Sequence, residues 1–195
     1  MPRQQSGSPP EPQGRQSLRI IGGKWRGRKL AFVTIDGLRP TGDRIRETLF
    51  NWLAPDIVGA RCLDMFAGSG ALGIEALSRG AGWATLIDAD KSAVASMRQH
   101  LKMLAADNAH VLEGDGLRLA ASDAPWDLVF VDPPFAANLW QAAIDALNST
   151  GMLAPEATVY VESGPEADYQ VPGHWYMHRE KRTPNLCCRL YYTGN

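Results

Sequence analysis

Residues 132–135 read Asp-Pro-Pro-Phe, directly after the apolar run Leu128–Val131. Two consecutive prolines cannot continue a central strand and they stiffen the loop. The Asp132 carboxylate and the Pro133 carbonyl are thereby fixed as neighbouring acceptors with no hydrogen to give. Such a pair suits a planar amino group that has two hydrogens to donate. Pro134 holds the turn, and the Phe135 ring offers a face for stacking a flat base. A plain strand-terminating turn would use the same four residues. A second constellation lies upstream. Cys-Leu-Asp-Met-Phe at 62–66 runs into Ala67, Gly68, Ser69 and Gly70, and Gly68, Gly70 and Gly73 fit G-x-G-x-x-G. Glycines let a turn approach a ligand closely, and the first-turn N–H groups of the next helix point into the same crevice. Asp88, 24 residues after Asp64, ends the next apolar run, where an acid fits ribose hydroxyls. Packing glycines in an ordinary turn would leave the same letters. The two motifs together favour a nucleotide-type ligand beside an amino-bearing base.

The elements that must hold these residues alternate. An apolar run ends at Asp64, the turn follows, and Ala71, Leu72, Ile74 and Leu77 recur at helical spacing before Gly80 as C-cap glycine. Trp83–Ile87 is a strand ending at Asp88. Lys91–Leu104 is a helix with Val94, Met97, Leu101 and Leu104 on one face. Val111-Leu112 is a short strand followed by Asp115 and Gly116. A helix is expected over about 138–147, a strand over Thr158–Val161, and a terminal hairpin over about 174–180 and 186–192 around Thr183-Pro184-Asn185. The alternation predicts an α/β fold with a seven-stranded, mostly parallel sheet covered by helices on both faces. Asp64, Asp88 and Asp132 all fall at carboxyl ends of strands, where such sheets bind ligands.

The 195 residues suit one catalytic domain, 54–195, behind an extension. Residues 1–17 have the composition of a disordered tail. Residues 18–53 hold two short strands, Leu18–Ile21 and Arg28–Val33, around a glycine-rich loop. A helix follows, capped by Thr41 or Asp43, with Ile45, Leu49, Trp52 and Leu53 inward and Arg44, Arg46 and Glu47 on other faces. The first 50 residues carry a charge of +6, and the rest carry −7. A basic segment on an acidic body points to a local polyanion-binding face. Arg19, Lys24, Arg26, Arg28, Lys29 and Arg39, with Trp25 among them, suit phosphate contact plus stacking. A solvated hairpin whose tryptophan packs on the domain is the alternative. Cys62, Cys187 and Cys188 form no metal or disulfide spacing, and no metal site is expected. No run approaches the roughly 18 apolar residues of a membrane span, and no secretory h-region appears. A cytoplasmic monomer without membrane association is the expectation.

Asp64 through Gly73 resembles the first motif of class I S-adenosylmethionine-dependent methyltransferases, which have a Rossmann-like fold. Asp132–Phe135 resembles the (D/N)PP(Y/F) signature of amino-group methyltransferases. RIIGGKWRGRKL at 19–30, LRPTGDRIRETLFNWL at 38–53 and REKRTPNLCCRLYY at 179–192 resemble the RsmD family. That family methylates the N2 of a guanine in small-subunit (16S) ribosomal RNA. The resemblance spans residues 18–192. It implies that Phe66, Ala67, Gly68, Ser69 and Gly70 hold the methionine part of S-adenosylmethionine, with Asp64 near its ammonium. It assigns the ribose to Asp88, where glutamate would be as readily expected, and the adenine to Asp115 and Gly116. Asp132, Pro133, Pro134 and Phe135 would hold the target guanine. The implied partner is 16S ribosomal RNA within an assembling or assembled small subunit. A dehydrogenase would leave Asp132–Phe135 and the basic hairpin unused. An adenine-N6 methyltransferase shares both core motifs but needs a recognition region for which this chain has no room. A non-catalytic ribosome-binding protein is the alternative outside enzymes, and a methyl-transfer assay separates it.

Overall fold

The computed structural model describes residues 15–33, 42–118, 125–149 and 151–194. Arg39 and Thr41 therefore lie outside the described residues. The strands are β1 (Arg15–Arg19), β2 (Lys29–Val33), β3 (Arg61–Asp64), β4 (Trp83–Asp88), β5 (Ala109–Glu113), β6 (Trp126–Val131), β7 (Leu153–Ser163), β8 (Trp175–Thr183) and β9 (Leu186–Thr193). The α-helices are α1 (Asp43–Trp52), α2 (Ala71–Ser78), α3 (Lys91–Met103) and α4 (Trp140–Leu147). Seven strands form one sheet in the order β5-β4-β3-β6-β7-β9-β8, and β1 and β2 form a separate antiparallel pair. β3 to β7 run parallel, whereas β9 is antiparallel to β7 and to β8. The expected sheet is thus present, and the strand order reverses between β3 and β6.

Both faces are covered. Leu72, Ile74, Val94 and Met97 of α2 and α3 pack on Leu86 and Phe130. On the other face Trp140, Ala143, Ile144 and Leu147 of α4 pack on Val129, Val131 and Val159. The helix α2 is buried at every residue. It ends as expected of a glycine C-cap: Gly80 takes φ +103°. The N–H of Ala81 reaches the Ala76 carbonyl and that of Gly80 the Leu77 carbonyl, a Schellman closure.

Several boundaries differ from expectation for local reasons. β1 begins at Arg15, inside the stretch expected as a tail. β7 begins at Leu153, before Pro155, because a register shift near Trp126 and a positive φ at Glu156 absorb the proline. α4 starts at Trp140 because Asn138 stands in the left-handed region, after a short 3-10 turn at Phe135–Ala137. The N-cap of α1 is Gly42 rather than Thr41 or Asp43, and Asp43 instead pairs with Arg46 at 2.7 Å. Arg46, expected on an outer face, is buried at 1% exposure.

Candidate active site

The register of three strands builds the site. Asp64 is paired in register with Leu86 of β4 on one side and Phe130 of β6 on the other. Asp88 and Asp132 lie two residues beyond those partners, on the face that Asp64 uses. They therefore flank the end of β3 about 10 Å apart, at roughly 4.8 Å per strand. This is the switch point, where open sheets take ligands.

Asp64 is buried beneath the glycine turn. Its Oδ2 accepts from the Gly73 N–H at 3.0 Å, and the Phe66 N–H also bonds to it. The N-cap residue Gly70 takes φ +80° and offers no side-chain cap. Asp64 thus supplies from below the acceptor that a capping side chain would supply. Burial, reinforced by the Asp88 charge, pushes the Asp64 carboxyl up to about 7. Asp88 is half-buried and holds the turn from the side. Its Oδ2 accepts from the Gly68 N–H at 2.7 Å and its Oδ1 from the Asp90 N–H at 2.8 Å. Phe66 and Ser69 are half-buried, and Ala67, Gly68 and Gly70 are buried around the same turn. Asp115 is exposed and caps its own turn at the Leu117 N–H. Gly116 is pressed against β3, and a Cβ there would lie 2.0 Å from the Met65 carbonyl oxygen.

On the β6 side, Pro133 is buried while Pro134 and Phe135 are exposed, Phe135 at 42%. The Phe135 ring rests on Trp140 with centroids 5.7 Å apart, and the Trp140 Nε1–H donates to the Glu162 carbonyl at 2.8 Å. Behind this loop Tyr160 donates its hydroxyl proton to Glu162 Oε2 at 2.8 Å. Burial and the Glu162 charge raise the Tyr160 phenol well above its ordinary range. Tyr160 and Glu162 carry no signal in the sequence, because only the parallel register of β6 and β7 brings them to the Asp132 loop, whereas Trp140 arrives at the start of α4, five residues after Phe135.

The hairpin attaches elsewhere. Glu75, buried in α2, accepts from the Ile21 N–H and the Gly22 N–H, both at 2.8 Å. Arg79 lies 2.7 Å from Glu75 Oε1 and Arg46 3.7 Å from Oε2. Arg46 also donates to the Arg19 carbonyl. Ser78 accepts from the Trp25 N–H and donates to the Gly22 carbonyl. The loop therefore sits at the far end of α2, about 12 Å along the helix from the glycine turn at roughly 1.5 Å per residue. Arg19, Lys24, Arg26, Arg28 and Lys29 are exposed around this loop, which is anchored at Ser78 rather than at the glycine turn. Trp25 is buried at 8% exposure, with the Lys24 ammonium 4.3 Å from its ring. The expected stacking face is thus turned inward: the indole packs on the domain.

A family model described as "Conserved hypothetical protein 95" matches residues 18–192. Ribosomal RNA small subunit methyltransferase D of Escherichia coli K12 is 51% identical over 184 residues, 93% of each chain. The chain belongs to the RsmD family. The Haemophilus influenzae member is 43% identical, covering 92% of this chain and 96% of the relative. A solved E. coli methyltransferase structure superposes with a TM-score of 0.83 at 51% identity, over 92% of this chain and 99% of that one. A Salinibacter ruber RNA methyltransferase in complex with S-adenosyl-L-homocysteine shares the fold alone, with TM-score 0.60 and 18% identity over 80% of this chain and 94% of that one.

The residues present fit the cofactor of an S-adenosylmethionine-dependent family. Asp64 and Asp88 bond directly to the glycine turn, and the Asp88 carboxylate gives it a negative field to which Asp64 adds as it ionises around 7. A ligand with a cationic ammonium and sulfonium is favoured there, and the pyrophosphate of a dinucleotide is not. Among the described residues no group of acids, histidines and cysteines could hold a metal ion, and no helix is long and apolar enough to cross a membrane.

Proposed function

We infer that this chain transfers the methyl group of S-adenosylmethionine to the exocyclic N2 amino group of a guanine in 16S ribosomal RNA. The observation that carries the reading is that Asp132 stands beside the glycine turn at the end of β3, with Asp88 on the turn's other side. The cofactor supplies an electrophilic methyl on a sulfonium. The chain supplies position. Phe66, Ala67, Gly68, Ser69 and Gly70 hold the methionine part, with the Asp64 carboxyl beneath it. Asp88 takes the ribose hydroxyls while keeping Gly68 in place, and Asp115 and Gly116 border the adenine.

Guanine N2 is a weak nucleophile, because its lone pair is delocalised into the ring. Hydrogen bonds from the NH₂ group to the Asp132 carboxylate and the Pro133 carbonyl favour a pyramidal nitrogen. They also aim its lone pair at the methyl in a near-attack geometry. Phe135, backed by Trp140, stacks the base after it leaves its RNA context. Asp132→Ala should lower methyl transfer about a hundredfold or more while leaving cofactor affinity near that of the native chain, by analogy with lost oxyanion-hole donors. Tritium transfer to RNA with parallel calorimetry checks this, and near-normal turnover would refute the role of Asp132.

The exposed cations of the hairpin, Arg19, Lys24, Arg26, Arg28 and Lys29, contact phosphates at a distance from the target. The chain acts as a cytoplasmic monomer on an assembling or assembled small subunit. Phosphate contacts carry little sequence information, so selection rests on the shape of a loop, and ribosomal proteins hold that loop in one form. Methylation of protein-free RNA should be slower than that of reconstituted particles at one salt concentration. Equal rates would refute the preference.

A further inference from the structure

The charge of the catalytic domain is unevenly placed. Four of the ten Lys and Arg residues after position 50 fall within 175–193, with one of the seventeen acids. They are Arg179, Lys181, Arg182 and Arg189, on the terminal hairpin β8–β9. That hairpin is the edge of the sheet, and β8 is its outermost strand.

Register places these cations at the height of the target. Val161 pairs with Val131 and with Arg189, and Arg189 pairs with Glu180. One step further toward the carboxyl rim, Glu162 pairs with Cys188 and Cys188 with Lys181. That is the level of Asp132. Lys181 thus stands about 14 Å from Asp132 across three strand spacings, with Arg182 one residue beyond. The Lys181 ammonium donates to the neutral Thr48 hydroxyl at 2.9 Å, so this hydrogen bond leaves its charge uncompensated. Thr48 donates to the carbonyl of Arg44, an exposed cation one turn earlier in α1. Glu180 serves both Arg182 and Arg189 at 2.9 Å, which leaves an excess positive charge. Toward the amino end of β8, about 17 Å from Lys181 at roughly 3.4 Å per residue, Tyr176 and Met177 are 58% and 54% exposed on alternate faces, and the His178 ring lies 4.6 Å from that of Tyr192. Charge alone would serve to keep an edge strand from pairing with another chain. Exposed Tyr176 and Met177 work against that purpose, whereas cations next to aromatic faces suit a nucleic acid strand.

We propose that β8, together with Arg44 of α1, is a second RNA-binding surface that receives the strand flanking the target guanine. It differs from the hairpin β1–β2, whose loop lies at the far end of α2. The proposal rests on the reading of the substrate as RNA. The backbone leaving the target at Asp132 runs along the rim to Lys181, Arg182 and Arg44, and a base several nucleotides further on lies against Tyr176.

The test uses the full chain, with an RNA fragment carrying the target loop and with small subunits. The variants are Arg179→Ala combined with Arg182→Ala and, separately, Tyr176→Ser, all at exposed positions. The arginine pair should flatten log K against log salt by about 0.7–0.9 for each phosphate that is no longer neutralised. It should raise KM for RNA severalfold while kcat and cofactor affinity stay native. Tyr176→Ser should weaken binding without changing the slope. A native protein that neither binds nor methylates RNA would refute the RNA reading itself. Native binding with an unchanged slope in the arginine variant would overturn this surface alone. The surface would also be overturned by new self-association with unchanged RNA binding, which marks edge protection. A loss confined to intact subunits, with protein-free RNA unaffected, would assign the surface to a ribosomal protein and overturn it as well.

Discussion

Glu75→Gln isolates the joint between the hairpin and the catalytic domain. Oε1 of Glu75 accepts from the Gly22 N–H at 2.8 Å and from Arg79 Nε at 2.7 Å. Oε2 accepts from the Ile21 N–H at 2.8 Å and faces Arg46 at 3.7 Å. A glutamine has one oxygen and one NH₂ group. Whichever way it turns, a donor meets a donor, and either Ile21 or Gly22 loses its acceptor. An unsatisfied buried N–H costs about 1–3 kcal/mol. The carboxylate charge is removed from two arginines as well, and breaking a buried pair costs about 3–5 kcal/mol. These are one network, so the effects overlap rather than add, and about 3–5 kcal/mol is the expected loss. For a chain of this size that corresponds to a fall in Tm of about 6–20 °C, at roughly 2–4 °C per kcal/mol. Scanning calorimetry reads the fall, and hydrogen exchange at the Ile21 and Gly22 amides locates it. A variant with native Tm and native protection at both amides would refute the reasoning.

Two further outcomes follow from the acids of the site. Asp88→Ala should raise the Kd for S-adenosylmethionine about five- to 150-fold, because the ribose and the Gly68 N–H lose one acceptor together, worth roughly 1–3 kcal/mol; titration calorimetry with unchanged affinity would move the ribose elsewhere. Asp64 titrates near 7 in the fold against an ordinary 3.8, so between those values the folded chain keeps a proton that the unfolded chain has released. Stability must then fall as pH rises through that window, by on the order of 4 kcal/mol. Asp64→Asn should flatten that part of the urea-derived pH profile, and parallel profiles would refute the assignment.

The strand, turn and helix at 62–80 are legible in the sequence because apolar runs, glycines and a capping glycine each carry a local signal. The Asp132–Phe135 loop is legible for the same reason, since prolines act on their own backbone. The joint at Glu75 is not. Glu75 has the letter of a surface residue, and its partners at 21, 22 and 46 are remote in sequence. One hint does exist: α2 is otherwise free of charge, so its one acid needs a buried partner. Helical spacing sends Arg46 outward, yet it turns inward because Glu75 and the Arg19 carbonyl receive it. The basic neighbours of Trp25 suggest a stacking face. Its Ser78 anchor, 53 residues away, turns it into the core instead.

The seat of the β1–β2 pair also bears on the order in which the chain folds. A two-stranded hairpin alone is marginal in water. Its anchors are Glu75 and Ser78 of α2 and His100 of α3, which meets the Ala31 carbonyl at 2.8 Å. A Cβ at Gly23 would lie 1.8 Å from the Ser78 carbonyl oxygen, so the loop closes only against a finished α2 terminus. During synthesis the hairpin leaves the ribosome before α2 and α3 and must wait for at least residues 71–103 before it can dock. Its contacts span long loops, which are slow to close. A segment made before its anchors is therefore among the last to be secured, and until then its cations are held by a chain that does not yet have a catalytic domain.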